Sequence, residues 1–415
     1  MSEVQLLQGD CLDQLKTLDD NSIDSIVTDP PYGLSFMGKA WDHSVPSAEV
    51  WAECLRVLKP GGHLLSFAGT RTQHRMAVNI EDVGFEIRDM IAWVYGSGFP
   101  KSQNVSKAID KAAGDEREVV GIVDSRSKFD GRTRSSSAIN TNWRKAEFRD
   151  DVRDLSKKEL TVSTTDEAKQ WDGWGTALKP ALEPITIARK PLTGTVAANV
   201  VEHGTGAINI DGCRIPTDEV IMNHSRSADN AVSKGKYGDS SAQETHQTSA
   251  QNLGRFPANL IHDGSDEVLD VFAIHGESKS GVAVNRNRSP GISNEIYGKG
   301  WDHSGKDEGY SDKGTPARFF YTAKANKRDR TEGGQVDNNH PTVKPTDLMC
   351  YLVRLVTPPN GTVLDPFMGS GSTGKACMTE RFNFVGIELD HDYIEIARAR
   401  IESARPGNTL EEFFE

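Results

Sequence analysis

Apolar residues fall in short runs closed by Pro or Gly, and these alternate with stretches of helical spacing. Residues 4–9 read as a strand ending at Gly9-Asp10-Cys11, and Leu12, Leu15 and Leu18 space a helical stretch behind it. Residues 23–27, Ile23-Asp24-Ser25-Ile26-Val27 with three β-branched apolar side chains, read as a buried strand that stops at Thr28-Asp29-Pro30-Pro31-Tyr32. Each proline fixes its own φ and pushes the residue before it out of the helical region, so the chain leaves this strand extended and stiff. Residues 33–44 form a Gly- and Trp-containing loop, and 49–58 are helical up to the breaker Lys59-Pro60-Gly61-Gly62. Strand 63–68, helix 72–83 and strand 85–95 follow. This alternation predicts a doubly wound α/β sheet.

Beyond Gly96 the pattern decays. Residues 102–113 suit a helix ended by Gly114, and 116–170 are polar and turn-rich, a surface insertion. Regularity returns at Glu183-Pro184-Ile185-Thr186-Ile187-Ala188, a strand able to pair with 85–95. Residues 192–330 are rich in Gly, Ser, Asn and Asp, with short apolar runs at 207–210, 260–261 and 319–321, and read as a loop-rich accessory region. Near the C-terminus, Thr346 is placed to cap a helix with apolar Leu348, Met349, Leu352, Leu355 and Val356. A strand at 362–367, a glycine turn and helix from Met368, a strand at 383–388 ending in Glu388 and a last helix at 392–402 complete the chain.

The 415 residues suffice for one large α/β domain with an insertion, or for two domains. A net charge of −12 argues against a generally basic nucleic-acid coat but leaves room for a local basic cleft. Five scattered cysteines without a C-x-x-C pair disfavour a disulfide scaffold or structural zinc and fit a reducing cytoplasm. No apolar run reaches membrane-span length, and the first residues carry no leader pattern. The segment 38–44, with Trp41-Asp42-His43-Ser44, recurs at 298–304 with Trp301-Asp302-His303-Ser304; no metal-ligand cluster surrounds either histidine.

Two stretches carry chemistry. Asp29 and the neighbouring backbone carbonyls make a fixed row of acceptors beside the Tyr32 ring, suited to a planar group bearing an amino group. Strand, glycine turn, helix, strand and terminal acid at 362–388 make a nucleotide- or nucleoside-binding half. Gly369-x-Gly371-x-x-Gly374 matches a dinucleotide fingerprint, and Gly369-x-x-x-x-Gly374-Lys375 most of a P-loop. Ala376 stands where a P-loop needs Ser or Thr for magnesium, and too few residues follow Glu388 for a second mononucleotide half. S-adenosylmethionine fits better: it has a ribose and an amino-acid carboxylate, needs no lysine for phosphate, and its sulfonium tolerates an aromatic neighbour such as Phe367. The missing strands then come from the N-terminal region, in permuted order.

The order of Asp29-Pro30-Pro31-Tyr32, a variable region, His340-Pro341-Thr342-Val343-Lys344-Pro345 and Asp365-Pro366-Phe367-Met368-Gly369-Ser370-Gly371 resembles the β class of DNA amino-methyltransferases. The resemblance covers roughly 4–100 and 340–400, with weaker similarity at 171–192. It implies a circularly permuted, seven-stranded, Rossmann-like methyltransferase sheet with a loop-rich insertion. Its parts would be a catalytic half (1–100), a polar insertion (101–170), a return strand (171–191), a DNA target-recognition region (192–330), a cofactor half (340–403) and a tail (404–415). It also implies methylation of adenine N6 or cytosine N4 in double-stranded DNA, in a restriction–modification or phage setting, with homodimers common by analogy. Asp29 and the Pro30 carbonyl would accept from the target amine, Pro31 would stiffen the turn, and Tyr32 would stack on the flipped base. Phe367, Gly369 and Gly371 after Asp365 would cradle the methionine part, with Lys344 and Thr346 near its carboxylate. Glu388 would take the ribose hydroxyls, while Asp10 and the Cys11 backbone would border the adenine. Plainer readings coexist: Asp10 as a helix cap, Lys344 as a solvated loop lysine, Glu388 as a strand-end acid. An aspartate before Pro-Pro-Tyr favours adenine within the family. Cytosine N4, RNA or protein glutamine, a P-loop ATPase and a silent DNA-binding protein remain alternatives. Arg286-Asn287-Arg288 and the cluster at 324–330 are candidate phosphate contacts.

Overall fold

The computed structural model describes residues 2–35, 42–96, 98, 102–124, 157–217, 254–274, 276–279, 313–323, 328–340 and 342–405. Arg286-Asn287-Arg288, the start of the 324–330 cluster, the second copy of the repeat and the end of the tail lie outside them. The chain divides into two units, Ser97–Ala181 and the remainder.

Among the described residues the larger unit is built on one nine-stranded sheet: β1 (Val4–Gln8), β2 (Ile23–Thr28), β3 (Leu58–Phe67), β4 (Glu86–Val94), β5 (Leu182–Arg189), β6 (Leu260–His262), β7 (Tyr321–Thr322), β8 (Thr362–Asp365) and β9 (Asn383–Glu388). Their order is β1-β9-β8-β2-β3-β5-β4-β6-β7. Only β5 runs antiparallel to its neighbours, β3 and β4. The seven strands expected from the sequence are all present in permuted order, and the pairing of β5 with β4 is as expected. The sheet is larger than seven, however: β6 and β7, from the region read as accessory loops, extend its edge beyond β4.

Both faces are covered, which is why β2 is buried at every position. Ile26 and Leu64 face one core with Trp51, Cys54 and Ile80; Val27 and Leu65 face the other with the helix Thr346–Val356. The Pro60-Gly61 breaker does not delay β3, which begins at Leu58 and passes through it with a register shift against β2. Three contacts hold this irregular start. The Pro60 carbonyl accepts from Asn199 Nδ2 (2.9 Å) and Thr205 Oγ1 (2.5 Å), and Lys59 pairs with Asp24 at 2.6 Å. Gly61 sits at φ +76, where a side chain would be strained.

Thr346 does not cap its helix. Pro345 occupies the cap position, and the Thr346 hydroxyl donates to Asp329 Oδ1 at 2.7 Å.

The smaller unit holds a helix, Val105–Ala113, ended by left-handed Gly114, then a hairpin of Val119–Asp124 with Lys157–Thr161, and a short helix, Asp166–Gln170. The unit ends at Ala181, so 171–181 belong to it and β5 begins at Leu182.

Candidate active site

The strand order reverses between β8 and β2. From β8 the chain passes through helix Ser372–Glu380 to β9 on one side; from β2 it passes through helix Ala48–Val57 to β3 on the other. Ligands of open α/β sheets bind in the crevice outside the carboxyl ends at such a reversal. Both chemistry-bearing turns emerge there, since β2 delivers Asp29 and β8 delivers Phe367 and the glycines. They are tied together directly: buried Thr28 Oγ1 donates to buried Asp365 Oδ1 at 2.7 Å. Asp365 also accepts from Thr373 Oγ1 (2.6 Å) and the Phe367 amide (3.1 Å). Burial pushes its carboxyl up to about 6, against the pull of those three bonds. With every contact made inside the protein, Asp365 acts as the rivet between the two halves.

Asp29 sits at the centre of an ionic cluster. Its Oδ1 accepts from the Tyr32 hydroxyl at 2.7 Å, and its Oδ2 lies 2.8 Å from Lys344 Nζ. Lys344 also reaches Glu183 Oε2 (3.1 Å) and packs over the rings of Phe67 (4.9 Å) and Tyr32 (5.5 Å). Burial works to discharge the ammonium, but the two acids outweigh it and hold its pKa above the ordinary lysine value. Burial, Asp29 and Glu183 likewise push the Tyr32 hydroxyl well up, so it remains a donor. Lys344, expected near a cofactor carboxylate, is thus engaged on Asp29 and Glu183 instead.

The turn around Tyr32 is held from a place the sequence did not advertise. Buried Asp42, in the first copy of the repeat, accepts from three successive amides: Tyr32 (2.6 Å), Gly33 (2.9 Å) and Leu34 (3.2 Å). Thr72 Oγ1 donates to the Tyr32 carbonyl at 2.7 Å.

Along the other half, Glu388 closes β9 and accepts from the amides of Gly369 (2.8 Å) and Asp390 (2.9 Å), with its carboxyl pushed up by burial. Gly369 (φ +53) and Gly371 (φ +79) are left-handed, and a Cβ on Gly371 would come within 2.9 Å of Ala397 Cβ. The fully buried Arg400 guanidinium fixes Ser370 between them, donating to its carbonyl and, at 2.9 Å, to its hydroxyl. Phe367 is half-buried, edge-on to Trp51 at 6.4 Å. Asp10, after β1, caps helix Cys11–Leu15 through the Leu12 amide at 2.9 Å. Cys11 is no thiolate; burial, then Asp10, push it up to about 11. Lys375 is held at 2.6 Å by Glu332, which removes the P-loop reading's phosphate lysine.

Asp10, Glu388, the Gly369–Gly371 turn and Asp29 therefore follow one another along the carboxyl ends of β1, β9, β8 and β2, whereas Thr346 is turned towards Asp329. Sequence reasoning missed Glu183, Asp42 and Arg400. Glu183 alone left a signal, as an acid at the start of an otherwise apolar strand.

Residues 23–399 match the model of the N6/N4 DNA methylase family. The chain is a DNA methylase of that family. This methylase is 24% identical over 318 residues to the type II methyltransferase M.HindIII of Haemophilus influenzae, covering 65% of the chain and 84% of the relative. It is 33% identical to M.HinfI of the same species over 80 residues, 19% of the chain and 22% of the relative. Among solved structures it is similar to the M1.HpyAVI–SAM complex (16% identity, TM-score 0.38, covering 96% of this chain and 99% of that one). It is also similar to the PvuII DNA methyltransferase, described as cytosine-N4-specific (14% identity, TM-score 0.43, 100% and 90%). No described helix is long and apolar enough to cross a membrane.

Proposed function

We propose that this DNA methylase transfers a methyl group from S-adenosylmethionine to the exocyclic N6 amino group of adenine in double-stranded DNA. The observation that carries the reading is the Thr28–Asp365 bond, which sets the Asp29 turn beside the glycine turn at the strand-order reversal.

The cofactor half suits a ribose-bearing, phosphate-free molecule. Glu388 offers acceptors for ribose hydroxyls, the two left-handed glycines let backbone approach closely, and the one lysine of the turn is paired with Glu332. Phe367, Gly369 and Gly371 would hold the methionine part, Glu388 the ribose, and Asp10 with the Cys11 backbone the adenine edge. Bound there, S-adenosylmethionine supplies an electrophilic methyl on a sulfonium.

Asp29 and the Pro30 carbonyl take the two hydrogens of the target amine. Accepting them turns the nitrogen lone pair away from Asp29 and stabilises the positive charge that grows on nitrogen. Tyr32 offers its ring face to the extruded base; such stacking contributes about 1–3 kcal/mol, comparable to the few kcal/mol that flipping costs. After transfer the nitrogen releases one proton, with Asp29 as the nearest acceptor. Adenine is favoured over cytosine by the aspartate that opens the Asp-Pro-Pro-Tyr turn. Target recognition falls to the chain between β5 and β8; Arg330, in the basic cluster there, donates to the His340 carbonyl at 2.7 Å.

Expression in a methylation-free host followed by modification-aware sequencing tests this. N6-methyladenine confined to one short motif is the expected result; N4-methylcytosine would move the reading to the other base, and unmodified DNA would overturn it.

A further inference from the structure

Glu183 is the second residue of β5, and the antiparallel course of that strand brings it to the carboxyl ends of the parallel strands. Its register partner is Trp93 on β4. There its Oε2 lies 3.1 Å from both Lys344 Nζ and the Tyr32 hydroxyl, while the same ammonium is 2.8 Å from Asp29 Oδ2. One ammonium is shared by two carboxylates, so the three groups sum to a formal charge of −1. Their setting is aromatic: Phe67 meets Trp93 edge-on at 6.5 Å, and Trp93 meets Tyr95 at 5.0 Å. Charges are poorly screened in such surroundings, so one unit more or less matters to a reaction that creates a cation.

Without Glu183, Asp29 would be the one carboxylate left to Lys344, whose other polar contact is the neutral Tyr32 hydroxyl at 3.2 Å. A target amine would then meet a neutralised carboxylate, with an ammonium beside the nitrogen on which positive charge must grow. With Glu183 present, the ammonium has a second anchor. It still orients Asp29 through Oδ2, and the surplus negative charge stays available to the amine. We propose that Glu183 is a positioning residue for methyl transfer, which shares the Lys344 ammonium so that the cluster keeps one net negative charge for the developing cation. This rests on Asp29 being the acceptor of the target amine.

The test is single-turnover transfer of labelled methyl from S-adenosylmethionine to unmethylated DNA by the full chain. Glu183→Gln keeps the shape and removes the charge; the transfer rate is expected to fall about 100-fold, the scale of losing one preorganised electrostatic contact. Cofactor and DNA affinities should move far less. Glu183→Asp, which keeps the charge, should recover much of the rate. The deciding variant adds Lys344→Met to Glu183→Gln. It restores the net charge of −1 and should transfer faster than Glu183→Gln alone, whereas a purely structural role would make it slower. Thermal unfolding of each variant separates loss of fold from loss of rate. A Glu183→Gln rate equal to the unsubstituted protein's, or a slower double variant, overturns the proposal. Failure of the underlying reading is distinct: Asp29→Asn would then transfer normally, whatever Glu183 does.

Discussion

Replacing Thr28 by Val tests the join between the two halves with almost no change of shape. It deletes one hydroxyl that donates at 2.7 Å to Asp365, both groups being buried. Burial raises the Asp365 carboxyl from 3.8 to about 6, and the Thr28 bond is among the contacts that hold the rise in check. The sign follows from the folded value lying above the unfolded one. The ionised carboxylate subtracts stability above about pH 6, progressively less as pH falls through that value, and none below the unfolded pKa. Without Thr28 the folded pKa climbs further, so the variant's deficit is greatest where Asp365 is charged. A lost charge-assisted bond costs about 2 kcal/mol near pH 8, and a lost neutral bond about 1 kcal/mol near pH 5. Urea unfolding of both proteins at the two pH values measures the difference. A deficit that is the same at both, or larger in acid, would refute the reasoning.

Other substitutions probe the remaining supports. Gly371→Ala places a methyl 2.9 Å from Ala397 at φ +79; it should cost at least about 1–2 kcal/mol in thermal unfolding and weaken cofactor binding measured by calorimetry. Asp42→Ala leaves three amides of the Tyr32 turn without their carboxylate, and should lower the transfer rate while cofactor affinity stays near the starting value. Arg400→Met removes the donors that hold Ser370, while Glu332 keeps Lys375; the loss of the buried charged hydrogen bonds to Ser370 should cost about 1.5–3 kcal/mol in urea unfolding.

What could be read from the sequence followed from periodicity and punctuation. Seven strands announced themselves because each is a stretch of four residues or more rich in apolar or β-branched side chains, set between helical stretches and breakers. β6 and β7 are three and two residues long, too short for any period to register, and only neighbouring β4 gives them a sheet to join. The start of β3 was hidden by Pro60 and Gly61, whose tolerance there depends on Asn199 and Thr205 far along the chain. At the site, the Asp29 and Gly369–Gly371 turns were legible because Pro and Gly at fixed spacing carry backbone meaning. Lys344 was legible as a candidate but not in its role, since its partners Asp29 and Glu183 come from β2 and β5. Nothing in the last helix singled out Arg400, because its full burial depends on Glu332 and Ser370, which come from elsewhere in the chain. Asp42 lay in a repeat with no apparent purpose; its work is done on amides ten, nine and eight residues earlier.

The most direct measurement is labelled-methyl transfer to unmethylated DNA by Asp29→Asn, beside calorimetric binding of S-adenosylmethionine to the same variant. With Asp29 as the acceptor of the target amine at a site next to the cofactor turn, transfer falls by about 100-fold or more while cofactor affinity is retained. Undiminished transfer, or loss of cofactor binding in step with transfer, would contradict the account.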